Sequence, residues 1–259
     1  MKEEEVNNHK IIGGYMKKSF LIQLLLLALI ILTTNYSQTV NDIIKKHFEA
    51  VNQDQFTNLK SIVVTSEMIL PGGKAPAKTY FKFPDKIRIQ VTENNRTSVT
   101  AFDGEIAWRL SPDENDGKAY ELGKESTDED KLMSILDGYF FCYKQRSTNI
   151  SLMGTEKLLG KENYKIKCKT NPGDSTYVFI DASTYLISKI QKPLKDRSNE
   201  TYLSDYRKIS NNMIFPFTFN ISTPYSRTFQ LVKDIKVNVD LNDSIFTMPG
   251  QQTEMKKNK

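Results

Sequence analysis

The stretch from Thr79 to Leu110, TYFKFPDKIRIQVTENNRTSVTAFDGEIAWRL, alternates apolar and polar residues in short runs separated by turn signals. Successive side chains of a strand point to opposite faces. Ile87, Ile89 and Val91 therefore fall on one face, and Lys86, Arg88 and Gln90 on the other. Pro84-Asp85, Glu93-Asn94-Asn95 and Asp103-Gly104 punctuate the runs, and an Asp-Gly pair tolerates the positive φ of a tight hairpin. After that turn Ile106, Trp108 and Leu110 return to one face. Such a segment specifies an antiparallel meander with one apolar side, and the functional question is what that side faces.

The pattern recurs. Leu59 to Leu70 is a β-rich run closed by Pro71-Gly72-Gly73. Beyond residue 160, Tyr164, Ile166 and Cys168 alternate with lysines, and further runs follow at 176–180, 185–192 and 201–209. In IFPFTFNI, Phe215, Phe217, Phe219 and Ile221 share one face, and 229–239 reads as the last strand. This makes roughly ten strands at a spacing of about 8–14 residues, the pattern of an antiparallel barrel or sandwich. Two helices interrupt it. Thr39–Asn52 has N-cap candidates in Thr39 and Asn41 and an apolar stripe of Ile43, Ile44, Phe48 and Val51. The segment 128–141 places Leu132, Met133, Leu136, Tyr139 and Phe140 at helical spacing, which suits either core or a lid over a cavity.

The N-terminus reads as a presequence. Lys17-Lys18 precede the apolar run Phe20–Leu32, and small polar residues follow to Gln38. The run suits the roughly 7–15-residue core of a secretory signal better than the about 20 residues of a membrane span, although an uncleaved anchor is the alternative. Met16 begins a more ordinary signal than Met1 does. The expected organisation is a presequence over 1–37, one domain over 38–249 and a disordered tail over 250–259. An exported chain meets an oxidising compartment, where Cys142 and Cys168 either pair or stay free.

Several function classes find no support. The formal net charge of +5 over 259 residues is mild, and no basic patch with interleaved aromatics suggests nucleic acid. His47 is the only histidine after the presequence, so no histidine pair for a metal and no His-based nucleophilic constellation can be drawn. The segment GTEKLLGK (154–161) misses the phosphate-loop spacing by one residue, with Glu162 where a hydroxyl belongs. The expectation is a non-enzyme without a cofactor. What remains is abundant apolar surface, which either fills a core or lines a cavity.

Taken in order, the N-terminal helix, FDGEIAWRLSP, GTEKLLGKENYKIK, YVFIDASTYLISKI, LSDYRKISNNMIFPF and DIKVNVDLNDSIFTMP resemble the LolA/LolB-like superfamily of periplasmic outer-membrane lipoprotein-sorting proteins. The resemblance runs from Asn41 to Pro249. It implies a mainly β fold of the α+β class, a strongly curved, half-open antiparallel barrel enclosing a helical lid. It also implies a non-enzymatic periplasmic carrier whose cargo is an acylated lipoprotein or lipid. An inner-membrane donor, an outer-membrane acceptor and a monomeric state would follow from such a role. The alternative on the same fold is an envelope module that senses lipid or binds another protein. Periodicity, and not the resemblance, nominates the lining. It comprises Phe81, Phe83, Ile87, Ile89, Val91, Ile106 and Trp108 in the first meander, Phe215, Phe217 and Phe219 in the second, and Leu132, Leu136 and Phe140 on the lid.

Overall fold

The computed structural model describes residues 38–123, 149–169, 175–195 and 197–250. The expected presequence, the helix over 128–141 and the tail after Gly250 lie outside them. Helix α1 (Val40–Val51) starts at Thr39 through a capping box. The Asp42 amide donates to Thr39 Oγ1 at 3.2 Å, and the Thr39 amide donates to Asp42 Oδ2 at 3.0 Å. The helix stops where Asn52 enters the left-handed region at φ 58, and a 3₁₀ turn over Gln53–Asn58 leads into the sheet.

Among the described residues, thirteen strands form one antiparallel sheet. They are β1 (Ser61–Leu70), β2 (Gly73–Lys82), β3 (Lys86–Glu93), β4 (Arg96–Phe102), β5 (Ala107–Leu110) and β6 (Tyr120–Glu121), then β7 (Asn149–Leu158), β8 (Lys161–Lys169), β9 (Thr176–Asp181), β10 (Ile187–Pro193), β11 (Ser198–Lys208), β12 (Ile214–Ser222) and β13 (Arg227–Val237). The spatial order is β6-β5-β4-β3-β2-β1-β13-β12-β11-β10-β9-β8-β7. Two meanders thus meet where β1 pairs with β13, and among the described residues the sheet ends at β6 and β7 without closing. This is the curved, half-open sheet expected, with more strands than the sequence suggested. Two of the additional ones are the edges. β6 is two residues long, and most side chains of β7 are exposed, so neither carries a period-two apolar signal.

The turns follow their sequences. Asn94 and Asn95 both take positive φ, 50 and 61, the backbone of a tight β3–β4 hairpin. Register shifts interrupt three ladders, at Thr65/Ser66 in β1, between Leu152 and Thr155 in β7, and at Ile187/Lys189 in β10. An extra residue in one strand bends and twists a sheet locally.

Alternation gives the sheet two distinct sides. The inner side is the one on which α1 packs: Ile43 and Ile44 meet Ile166 and Cys168 of β8 and Val178 and Ile180 of β9. All six are 3 % exposed or less. Farther along the same side, Leu59, Ile62, Val64, Met213, Phe215 and Val232 form a second core, and Ile87, Phe102 and Ala107 a third. The outer side carries its own buried cluster of Val99, Ala101 and Trp108, joined by Met248. It is covered there by the chain after β13. Lys82 Nζ donates to Leu241 O at 2.7 Å, Arg88 to Ile245 O at 2.7 Å and Trp108 Nε1 to Phe246 O at 2.6 Å. This C-terminal strap crosses β2, β3 and β5.

Candidate functional site: an apolar inner face

Cross-strand register shows which nominated residues share the inner side. Ile62 pairs with Phe81, Phe81 with Ile87, and Ile87 with Phe102. Ile89 faces Thr79 and Val91 faces Ala77, so both keep that side. In the other direction Val64 pairs with Ile235 and Ser66 with Val232, and Gln230 pairs with Phe219. Alternation then puts Phe215, Phe217 and Ile221 beside Phe219. Phe81, Ile87, Ile89, Val91, Phe215, Phe217 and Phe219 therefore belong to one surface. Phe83, just past the end of β2, packs into the cluster of Ile62 and Phe215.

Two nominated residues lie elsewhere. Trp108 pairs with Ala101 on the outer side and is 1 % exposed beneath the strap. The reason is the pairing of Ala107 with Phe102 across the β4–β5 hairpin, which gives the inner position to the alanine. Ile106 belongs to the turn before β5, where its amide donates to Asp103 Oδ1 at 3.0 Å. Leu132, Leu136, Phe140 and Cys142 lie outside the described residues. Cys168 carries a free thiol, buried among the residues under α1.

The strands that join the two halves of the surface were not nominated. Ile62 and Val64 of β1, with Val232 and Ile235 of β13, bridge the β2–β3 and β12 ladders. Their signal is present in SIVVTSEMIL and FQLVKDIKV as the same alternation, spoiled in β13 by the bulge opposite Thr65/Ser66.

The inner surface divides into anchored and available residues. Ile62, Val64, Ile87, Phe102, Phe215 and Val232 are buried. Phe81, Ile89, Val91, Phe217, Phe219 and Ile221 remain half-buried. The Phe215 and Phe219 rings meet edge to face at 6.3 Å. Charge is scarce and locally cancelled. Arg207 of β11 stacks on the Phe217 ring at 4.7 Å, and its hydrogen bond holds the Asp205 carboxyl below the usual carboxylate range.

The groups with the largest titration shifts are structural. Burial pushes His47 down to about 4, against a hydrogen-bond contact of Nδ1 with Tyr185 O at 2.8 Å. Burial alone pushes the Cys168 thiol up to about 12 and raises the Tyr206 phenol. All three are neutral at pH 7, and each sits inside packing. Among the described residues, no group of three or more His, Cys, Asp or Glu side chains could hold a metal ion. No described helix is long and apolar enough to cross a membrane. The surface offers contact to hydrocarbon.

No family model matches the chain, and no curated protein matches it in sequence. Its fold does match solved structures. A LolA superfamily protein from Nitrosomonas europaea superposes with a TM-score of 0.55 at 14% identity, covering 82% of this chain and 98% of that one. A DUF1329 family protein from Desulfovibrio piger gives 0.55 at 15% identity, with coverages of 79% and 97%. A domain assigned as an outer membrane lipoprotein-sorting protein, from Vibrio parahaemolyticus, gives 0.52 at 12% identity, with 81% and 98%. Identities this low speak for the fold. The chain has the fold of LolA superfamily proteins.

Proposed function

We propose that this chain is an exported, non-enzymatic carrier that holds acyl chains of lipoproteins or lipids on its inner face. It shuttles them through the periplasm between an inner-membrane donor and an outer-membrane acceptor. The observation that supports this reading is the row of half-buried apolar side chains, Phe81, Ile89, Val91, Phe217, Phe219 and Ile221, on the side that elsewhere is packed shut. A folded chain gains by covering such a surface, and removal of hydrocarbon from water stabilises by about 0.8 kcal/mol per methylene. About twelve buried methylenes would contribute roughly 10 kcal/mol before the costs of association are subtracted. No covalent chemistry is needed for tight, reversible holding.

The test is displacement of a fluorescent acyl probe from the mature protein. Ile89→Asp and Phe217→Asp each place a carboxylate on the inner surface, and each is expected to weaken probe binding at least tenfold with an unchanged circular dichroism spectrum. Undiminished binding in both folded variants would refute the lined inner face. A wild-type protein that binds no acyl probe would favour an envelope interaction module on the same fold.

A further inference from the structure

We infer that the neighbouring β10–β11 and β12–β13 hairpin tips form an edge that docks on an anionic phospholipid surface. The inference deepens the carrier reading and rests on it for its purpose, while its geometry stands alone. Strands β10 and β12 run to the same end of the sheet, and the order β13-β12-β11-β10 makes their tips neighbours. Arg197 joins them by donating from its guanidinium to Pro224 O at 3.1 Å. The second tip is ordered by Thr223, whose hydroxyl accepts from the Tyr225 amide at 3.3 Å and the Ser226 amide at 3.0 Å. This hydrogen-bonded turn presents Tyr225 at 94% exposure, while Leu194 on the neighbouring tip is 42% exposed and the outer-side Phe229 of β13 36%.

The charge of these tips favours one partner. Residues 192–197 and 223–227 contain Lys192, Lys195, Arg197 and Arg227 against the single acidic Asp196. Tyrosine places an apolar ring and a polar tip at a bilayer interface, and basic side chains beside it gain from anionic headgroups. The edge also lies where cargo would pass. Phe215, Phe217, Phe219 and Ile221 climb the inner side of β12 towards this tip, so an acyl chain leaving a membrane under Tyr225 meets a continuous apolar track.

Vesicle co-sedimentation of the mature full-length protein tests the inference. Retention is expected on vesicles of phosphatidylethanolamine with phosphatidylglycerol, falling as salt is raised, with little on phosphatidylcholine alone. Each basic side chain near an anionic surface is worth about fivefold in partition, so Lys195→Gln with Arg227→Gln should reduce partition about 25-fold. Tyr225→Ser with Leu194→Ser should remove what salt leaves behind. Leu159→Ser is the control, because Leu159, also 94% exposed, lies on the β7–β8 tip at the opposite end of the sheet. No wild-type preference for the anionic vesicles, unchanged retention in both tip variants, or an equal loss in Leu159→Ser would overturn the docking edge. Binding of a soluble acyl probe, read without vesicles, separates the two claims. Probe binding without vesicle retention sinks the edge alone. Vesicle retention without probe binding sinks the carrier reading alone.

Discussion

Trp108→Phe tests the placement of the two sheet sides through the chain's single tryptophan. In the folded protein the indole N–H donates to Phe246 O at 2.6 Å, and the ring is 1 % exposed between the outer side of β5 and the strap. Phenylalanine keeps most of the apolar contact but leaves that carbonyl without its donor in a site closed to water. An unsatisfied buried polar group costs about 1–3 kcal/mol. Lost stacking of the Arg88 guanidinium, 5.8 Å from the indole centre, adds roughly 0.5–1 kcal/mol. A total of about 1.5–4 kcal/mol should lower the urea midpoint and reduce the melting temperature by roughly 3–16 °C for a domain of this size. The acyl-probe affinity should stay within twofold of wild type. In the wild-type protein a brominated acyl chain should leave tryptophan emission unquenched, since the ring lies on the far side of the sheet from the inner face. A variant with full stability and reduced probe binding, or strong quenching of Trp108 by the brominated chain, would refute the assignment of sides.

Other consequences can be checked with the same protein. Ile43→Ala empties a fully buried position between α1 and strands β8 and β9, and should cost about 2–5 kcal/mol in chemical unfolding. The His47 value lies near 4 in the fold against 6.5 when unfolded, so the unfolded chain binds more protons between those limits. Stability should rise with pH across that window and be lost as pH falls through it, by up to about 1.4 kcal/mol per unit, and His47→Gln should flatten the profile between about pH 4 and 6.5. Asp243 on the strap pairs with Lys82 at 2.6 Å and Lys86 at 3.5 Å, yet its side chain is 60% exposed. Asp243→Asn should therefore cost below about 1 kcal/mol, less in high salt, with probe binding unchanged.

Legibility in the sequence followed how one-sided each element is. In β3 the outer side is the polar Lys86, Arg88 and Gln90, so the parity of Ile87, Ile89 and Val91 was plain. In β12 three phenylalanines at alternate positions said the same. The parity of β5 was not readable, because its outer side is buried too. Only the hairpin register, with Ala107 opposite Phe102, decides that Trp108 turns away. The strap that buries it returns from residues more than a hundred positions away, and no local pattern announces such a contact. The edge strand β7 escaped for the opposite reason, since exposure of most of its side chains leaves no apolar alternation to read. The capping box of α1 was half visible: Thr39 stood out as a cap, and the reciprocal role of Asp42 emerged from the hydrogen bonds. His47, the lone histidine after the expected presequence, is a buried packing residue of α1 held at Tyr185 O. The basic, aromatic edge at the β10–β11 and β12–β13 tips needed the strand order, because residues 192–197 and 223–227 become neighbours only through the pairing of β11 with β12.

The proposed role of the inner face is to carry acyl chains. Native mass spectrometry of the mature protein, released gently from the cell envelope and followed by solvent extraction, addresses it most directly. A reproducible added mass is expected, leaving with the solvent as acylated lipid or lipoprotein and absent from the Ile89→Asp and Phe217→Asp variants. A bare polypeptide mass that persists after incubation with total envelope lipid would contradict it.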